Sequence, residues 1–333
     1  MTGKRDDGAS GTPAGAFLEV ACDESGSDGE NLTGGNTDVF AHAGVCLPVA
    51  TAAEAVLTVR NRIRSPAEEY KANHLLREKH RPVLEWLLGP SGPIHGHAHV
   101  HLTEKAYFVV DRTVALLLGG PAGALPLFRA GRRTFGEDSW REFLTSANRL
   151  LRVRGTGTDA GDPAAPVDAF FRAVDALRGA RPPSGPAATL ERLAAARPRA
   201  DAYRARLAAA PAPIPVLDPL LPAVVATAAH WSAAGRPVRL VHDRQNTLTP
   251  ERIAWIEERA RLGGVRLDGL RLVHARLDAR VQLADFLAGI ARTIASDALG
   301  GRGDAVLTGL LRPYLDASSV WGDEGSWRRL AGD

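Results

Sequence analysis

The sequence has few lysines, few cysteines and no long apolar run. Of its 41 basic residues 37 are arginines, and the four lysines are Lys4, Lys71, Lys79 and Lys105. The codon usage of a GC-rich genome explains this imbalance, and a formal net charge of +3 is too small to indicate a nucleic-acid-binding protein by itself. The same bias makes a lysine inside a motif more informative than an arginine would be.

Two further scarcities bear on the location of the protein. Cys22 and Cys46 are too few for the disulfide framework of a small secreted protein, so we expect reduced thiols, with a disulfide or a shared metal ion as the alternative. No segment approaches the roughly 20 apolar residues of a membrane helix. Residues 1–15 have no apolar core, which argues against a secretory signal and predicts a flexible tail. We therefore predict a cytoplasmic protein without a membrane partner, and the oligomeric state stays open.

Hydrophobic patterning predicts an α/β fold that is interrupted by helices. The predicted strands span 16–21, 38–47, 237–243 and 270–275, and the stretch 97–114 supplies one or two more. From 152 to 215 the strand signals disappear, and Ala, Pro, Arg and Gly dominate. We predict a tail at 1–15, an α/β domain formed by 16–151 and 216–333, and a helical insert at 152–215.

Acidic residues stand where the predicted strands end. Asp23 and Glu24 follow the first strand, Asp243 ends the strand at 237–243, and Asp285 lies in the last strong helix. Carboxylates from two strand ends and one helix can converge on Mg²⁺ or Mn²⁺, which prefer oxygen ligands. Two such ions about 4 Å apart activate water and stabilise a leaving oxygen. The alternatives are a turn or cap residue for Asp243 and a solvated helix face for Asp285.

The helix around Asp285 has one apolar face, formed by Leu283, Leu287, Ile290 and Ile294. Asp285 points away from this face, beside Gln282, Gly289 and Arg292. Small residues flank this polar stripe, so the helix can approach a sheet closely and bring an acid to a site. Helical periodicity alone does not decide between this arrangement and a solvated face.

Four motifs occur in a characteristic order: D-E-S-G after the first strand, E-Y-K at 69–71, V-H-D-R-Q at 241–245 and Q-L-A-D-F-L-A-G at 282–289. Together they resemble the family called domain of unknown function 3800, over about Phe17 to Ala298 and loosely across the insert. That family looks like a member of the ribonuclease-H-like superfamily. The resemblance implies a mixed central sheet flanked by helices, and an acidic metal site that uses Asp23, Asp243 and Asp285. No reaction is attached to the family as a whole.

The fourth carboxylate of such a site has two candidates. Glu24 adjoins Asp23, but neighbouring residues on a strand point to opposite faces. Glu69 precedes Lys71 by two positions, and we prefer it. Lys71 can bind a phosphate as a point charge, or it can be an ordinary surface lysine.

Four histidines provide a competing signal. His95, His97, His99 and His101 alternate, so they share one face if the segment is an extended strand. Such a ladder can bind Zn²⁺ or Ni²⁺. The alternative is a half-exposed edge strand that binds metal adventitiously.

Three functions follow from these patterns. The leading prediction is a metal-dependent nuclease or phosphodiesterase that acts on RNA or DNA, with Mg²⁺ or Mn²⁺ held by Asp23, Glu24, Asp243 and Asp285. Glu69 and Lys71 complete the predicted catalytic set. The second is a non-catalytic nucleic-acid-binding or protein-binding module on the same fold, in a defence or mobile-element system. The third is a zinc hydrolase that uses the histidine ladder.

Overall fold

A five-stranded mixed sheet lies at the centre of the computed structural model, which describes residues 17–64, 71–153, 164–210 and 212–332. The strands are β1 (Leu18–Ser25), β2 (Val39–Val45), β3 (Ala98–Glu104), β4 (Val238–Asp243) and β5 (Leu267–Val273). Their order across the sheet is β3-β2-β1-β4-β5. The pairs β1–β2 and β2–β3 are antiparallel, whereas β1–β4 and β4–β5 are parallel. The predicted α/β class with a mixed sheet is confirmed.

Helices flank this sheet. In chain order they are α1 (Val49–Ile63), α2 (Ala72–Leu75), α3 (Arg81–Leu88), α4 (Lys105–Leu118), α5 (Ala124–Phe135), α6 (Glu137–Leu151), α7 (Ala164–Gly179), α8 (Ser184–Ala194), α9 (Arg197–Ala209), α10 (Leu220–Ser232), α11 (Pro250–Leu262), α12 (Ala279–Leu299), α13 (Ala305–Leu311) and α14 (Glu324–Ala331). Short 3₁₀ turns occupy Glu78–His80, Ala275–Leu277 and Arg312–Tyr314. Across the four described ranges, no helix is both long enough and apolar enough to cross a membrane.

Alternate residues of the strands face two different layers. On one face, Ala43 packs with α1 and α12, and Ala21 packs with the first turn of α12. On the other face, Val20, Cys22 and Leu240 pack against α10 and α11. Both faces are therefore covered, and the side-chain periodicity of two decides which layer each strand residue reaches.

The segment at 97–114 differs from its prediction. The strand ends at Glu104, and residues 107–110 lie on α4. Buried Phe108, Val109 and Val110 gave a short apolar run, and such a run does not distinguish a strand from a buried helix.

The predicted insert is helical where the structure describes it, as α7, α8 and α9. These helices share one apolar cluster with α4, α5 and α6, whose members include Phe108, Phe143, Phe170 and Leu190. The cluster thus extends to both sides of residue 152. The domain division stays a prediction, and the predicted tail lies outside the described residues.

Candidate acidic site

Two of the predicted acids meet where neighbouring parallel strands end. β1 extends to Ser25, four residues past the predicted strand at 16–21, so Asp23 and Glu24 lie on the strand itself. In the parallel ladder Cys22 pairs with His242, and the next residues on the two strands are Asp23 and Asp243. Residues in register on parallel strands share a face. Asp23 and Asp243 therefore lie side by side on the face that α12 covers.

Asp285 reaches the same corner from α12. This helix contacts β1 and β2 along its length, and its predicted apolar face is buried. The side chain of Asp285 is only 18% exposed, so it does not lie on a solvated helix face. Burial raises the pKa of Asp23 most, and the negative charge of Asp285 raises it further, so the two carboxylates act on each other.

A glycine allows α12 to approach α2. A Cβ atom added at Gly289 would lie less than 3.0 Å from the Cβ atom of Ala72. This contact fixes the start of α2, and Lys71 directly precedes it as its N-cap. The Nζ atom of Lys71 lies 3.7 Å from Oδ1 of Asp285, and the Lys71 side chain is 48% exposed. We call the group formed by Asp23, Glu24, Asp243 and Asp285 the acidic corner. Lys71 contacts this group and is also accessible to solvent.

The electrostatics of Asp23 are unfavourable for its charged form. The residue is 5% exposed. Burial raises the pKa of Asp23, and the negative charges of Glu24, Asp285 and Asp243 raise it further. The backbone N–H of Glu24 donates to Oδ1 of Asp23 over 2.8 Å and offsets part of this shift. Four carboxylates thus act on one another within a small volume.

Glu24 joins this group from the opposite face of β1. Burial raises its pKa, and hydrogen bonds from its surroundings offset the shift only in part. The Nε2 atom of Gln245 donates to Oε2 of Glu24 over 2.8 Å, and Nε2 of His242 lies 3.7 Å from the same oxygen. The Cβ atom of Glu24 lies on the face of β1 opposite to Asp23. Its carboxylate nevertheless bends towards the carboxyl ends of β1 and β4.

Asp243 is oriented by backbone. The N–H of Ala275, in the 3₁₀ turn after β5, donates to Oδ1 of Asp243 over 2.8 Å. At the other side of the corner, Nε of Arg292 donates to the Ser25 hydroxyl over 3.1 Å. The N–H of Ala275 thus holds one oxygen of Asp243 in place. Arg292 is a second cationic side chain, after Lys71, and it lies near the end of β1.

The structure therefore brings together Asp23, Glu24, Asp243, Asp285 and Lys71. Glu69, the preferred fourth carboxylate, lies outside the described residues. Gln245 is not among the predicted site residues, although it lies inside the V-H-D-R-Q motif. The N–H of Ala275 carries no sequence signal, because any residue at that position supplies one.

The donors are the hard carboxylate oxygens that Mg²⁺ and Mn²⁺ prefer. Their positions do not form a complete coordination shell. In the part of the chain that the structure describes, no group of three or more His, Cys, Asp or Glu side chains is ready to hold a metal ion. The acidic corner fits a divalent cation in its chemistry and its charge, and an ion would have to draw the carboxylates together.

The predicted histidine ladder is interrupted. His95 and His97 lie in the turn before β3, whereas His99 and His101 lie on the strand. The prediction of a half-exposed edge strand is wrong, because residues 312–320 cover this edge through bridges from Val100 to Leu315 and from Thr103 to Val320. His99 and His101 are 2% and 3% exposed. A substrate in solvent does not reach them, which disfavours a hydrolase built on the ladder.

Comparisons with protein-family models, with curated proteins and with solved structures find no match to this chain.

Proposed function

We propose that this protein is a metal-dependent phosphodiester hydrolase that acts on RNA or DNA. The observation that carries the proposal is the buried acidic corner, where Asp23, Glu24, Asp243 and Asp285 act on one another and raise the pKa of Asp23. A fold gains no stability from clustering buried like charges, so their retention at a strand-end corner is typical of a functional site. The resemblance to domain of unknown function 3800 and to ribonuclease-H-like proteins belongs to the same proposal.

Mg²⁺ or Mn²⁺ at this corner would supply Lewis acidity for the attacking water and the leaving oxygen. Asp23, Asp243 and Asp285 would hold the ions, with Glu24 as a further oxygen donor. The hydrogen bond from Ala275 fixes one oxygen of Asp243 and leaves the other free for a ligand. Glu69 stays in the proposal as the sequence predicts it.

Lys71 would bind a phosphate of the substrate. Its ammonium group lies 3.7 Å from Asp285 and is half-exposed, so it can face an anion that approaches the acidic corner. A lysine acts here as a point charge, which suits a phosphate that moves during the reaction. A cytoplasmic location completes the proposal, because Cys22 and Cys46 are free thiols, which that compartment keeps reduced.

A nuclease assay tests the proposal. Single-stranded and double-stranded RNA and DNA are incubated with the protein in Mg²⁺ and in Mn²⁺, and metal binding is measured by calorimetry. We expect metal-dependent cleavage that Asp23→Asn and Asp285→Asn abolish. Asp201→Asn, an exposed acid on α9, is the matched control and keeps full activity.

Two outcomes contradict the proposal. If all substrates stay intact and neither ion binds, the acidic corner is not a cation site. If nucleic acid binds equally well to the wild type and to Asp23→Asn without cleavage, the protein is the non-catalytic module instead.

A further inference from the structure

A second cluster of metal-ligating side chains lies on the α10 face of the sheet, away from the acidic corner. His99 and His101 of β3 pair with Gly44 and His42 of β2, and Nδ1 of His42 lies 2.8 Å from the hydroxyl of Thr227 on α10. Asp316 reaches the two imidazoles from the segment that covers β3. Its Oδ2 atom lies 3.0 Å from Nε2 of His99 and 3.5 Å from Nδ1 of His101.

Backbone hydrogen bonds hold Asp316 in this position. Its N–H donates to the carbonyl of Val100 over 2.9 Å, and its Oδ1 atom accepts from the N–H of Ser318 over 2.7 Å. These contacts occupy one carboxylate oxygen and direct the other at the two histidines. Such an outer hydrogen bond is the usual way in which a ligating carboxylate is oriented.

The three facing atoms are buried and make no well-formed hydrogen bond. Nε2 of His99, Nδ1 of His101 and Oδ2 of Asp316 are each inaccessible to solvent, and none has a hydrogen-bond partner of normal geometry. Buried polar atoms without partners are rare, and an ion that binds between them is one of the few explanations. Contact distance without hydrogen-bond alignment is what metal ligands show, because their lone pairs point at a common centre and not at one another.

The spacing agrees with zinc coordination. Zinc–nitrogen and zinc–oxygen bonds of about 2.0–2.1 Å separate neighbouring ligands of a tetrahedron by about 3.3 Å. The observed separations of 3.0 and 3.5 Å lie on either side of this value. Like every other group of three or more His, Cys, Asp or Glu side chains among the described residues, the cluster is not arranged to hold an ion as it stands. A change of about 0.2–0.3 Å in these two separations would reach the tetrahedral value.

A third imidazole packs against the cluster. The ring of His230 on α10 stacks on His99 at a centroid distance of 3.7 Å and fixes its orientation.

We propose that His99, His101 and Asp316 form a structural binding site for a divalent transition metal such as Zn²⁺. The bound ion would fasten the segment 315–320 to the edge strand β3. Two imidazoles and one carboxylate form a ligand set that zinc accepts and that Mg²⁺ does not prefer. The site is independent of the acidic corner and of the proposed hydrolase.

Zinc binding by the tag-free chain tests this inference. Equilibrium dialysis with Zn²⁺ measures affinity, and Co²⁺ provides a visible spectrum, since four-coordinate nitrogen-containing sites absorb far more strongly than six-coordinate oxygen sites. We expect Asp316→Asn and His101→Gln to weaken Zn²⁺ binding at least about tenfold and to remove the strong Co²⁺ bands. His97→Gln, in the exposed part of the same histidine run, is the matched control and leaves both unchanged.

Several results would overturn the site. These are a wild type that binds no zinc, an Asp316→Asn protein that binds it as tightly as the wild type, and a His97→Gln protein that loses it. If Asp316→Asn does not fold, the wild type decides the question alone. Its Tm must then rise with Zn²⁺ concentration and fall on chelation, and a constant Tm contradicts the inference. Histidines that only pair with Asp316, without a metal ion, would give that constant Tm.

Discussion

Gly289→Ala tests how the acidic corner is built, without touching a charged group. Ordinary carbon contacts are about 3.5–4.0 Å long, and the new methyl group would lie less than 3.0 Å from the Cβ atom of Ala72. Both atoms are Cβ atoms, so no rotamer change separates them. Either α2 or α12 must move by at least about 0.5–1 Å, and overpacking of this kind costs about 1–3 kcal/mol.

Urea denaturation followed by tryptophan fluorescence measures this cost. Gly309→Ala is the matched control, because Gly309 lies within α13 and an added Cβ there meets no atom within 4 Å. In a helix interior, Gly→Ala normally stabilises by about 0.5–1 kcal/mol. We therefore expect the two glycine variants to shift the free energy of unfolding in opposite directions.

The displaced helix also bears on Lys71. Lys71 directly precedes Ala72, so a shift of α2 moves its ammonium group relative to Asp285. We expect Gly289→Ala to lose most of the cleavage activity if Lys71 binds substrate. If Gly289→Ala is as stable as the wild type, or is stabilised like Gly309→Ala, the close approach of α2 and α12 is refuted.

Three other substitutions are informative. Asp23→Asn should raise the free energy of unfolding at neutral pH by up to about 4 kcal/mol. Burial and the neighbouring negative charges raise the pKa of Asp23 to about 9, so Asp23 must take up a proton on folding and Asn need not; urea denaturation checks this, and a loss of stability would contradict it. Burial raises the pKa of Glu104 to about 7 from 4.5, so the folded state binds more protons and stability falls as pH rises from about 4.5 to 7. Glu104→Gln should flatten that fall, by about 3 kcal/mol, and unchanged pH curves would refute it. Lys105→Met should destabilise by about 3 kcal/mol, since it leaves Asp28 without its buried partner; the double variant with Asp28→Ala should recover most of this loss.

Much of the α/β frame was predictable because its signals are local. The helix Pro250–Leu262 has the bounds that its N-terminal proline predicts, and β4 ends at Asp243 as its apolar run indicates. The small residues around Asp285 indicated a helix that can approach a sheet closely, and α12 packs directly on β2. These features depend on residues that are near one another in the sequence.

Features that depend on distant residues were not predictable. The ladder of histidines alternates perfectly in the sequence, yet β3 begins only at Ala98. The cover over β3 comes from residues more than 200 positions later, whose pairing leaves no trace in the local pattern. The contact between Gln245 and Glu24 likewise joins residues 221 positions apart. In each case the missing information is the register of one element against another.

The mutual repulsion of the acidic corner requires that the rest of the fold hold its members in place. The N-terminus of α12 provides such a hold, because buried Arg280 donates to both oxygens of Asp278 over 3.0 and 2.7 Å and to Glu19 over 2.9 Å. Glu19 lies on β1, four residues before Asp23, so this network ties the helix that carries Asp285 to the strand that carries Asp23. The attraction within these ion pairs opposes the repulsion among the carboxylates of the acidic corner, and both act between α12 and β1. A corner held in this way can keep its carboxylates close without a cation, which is the state from which a cation site must assemble.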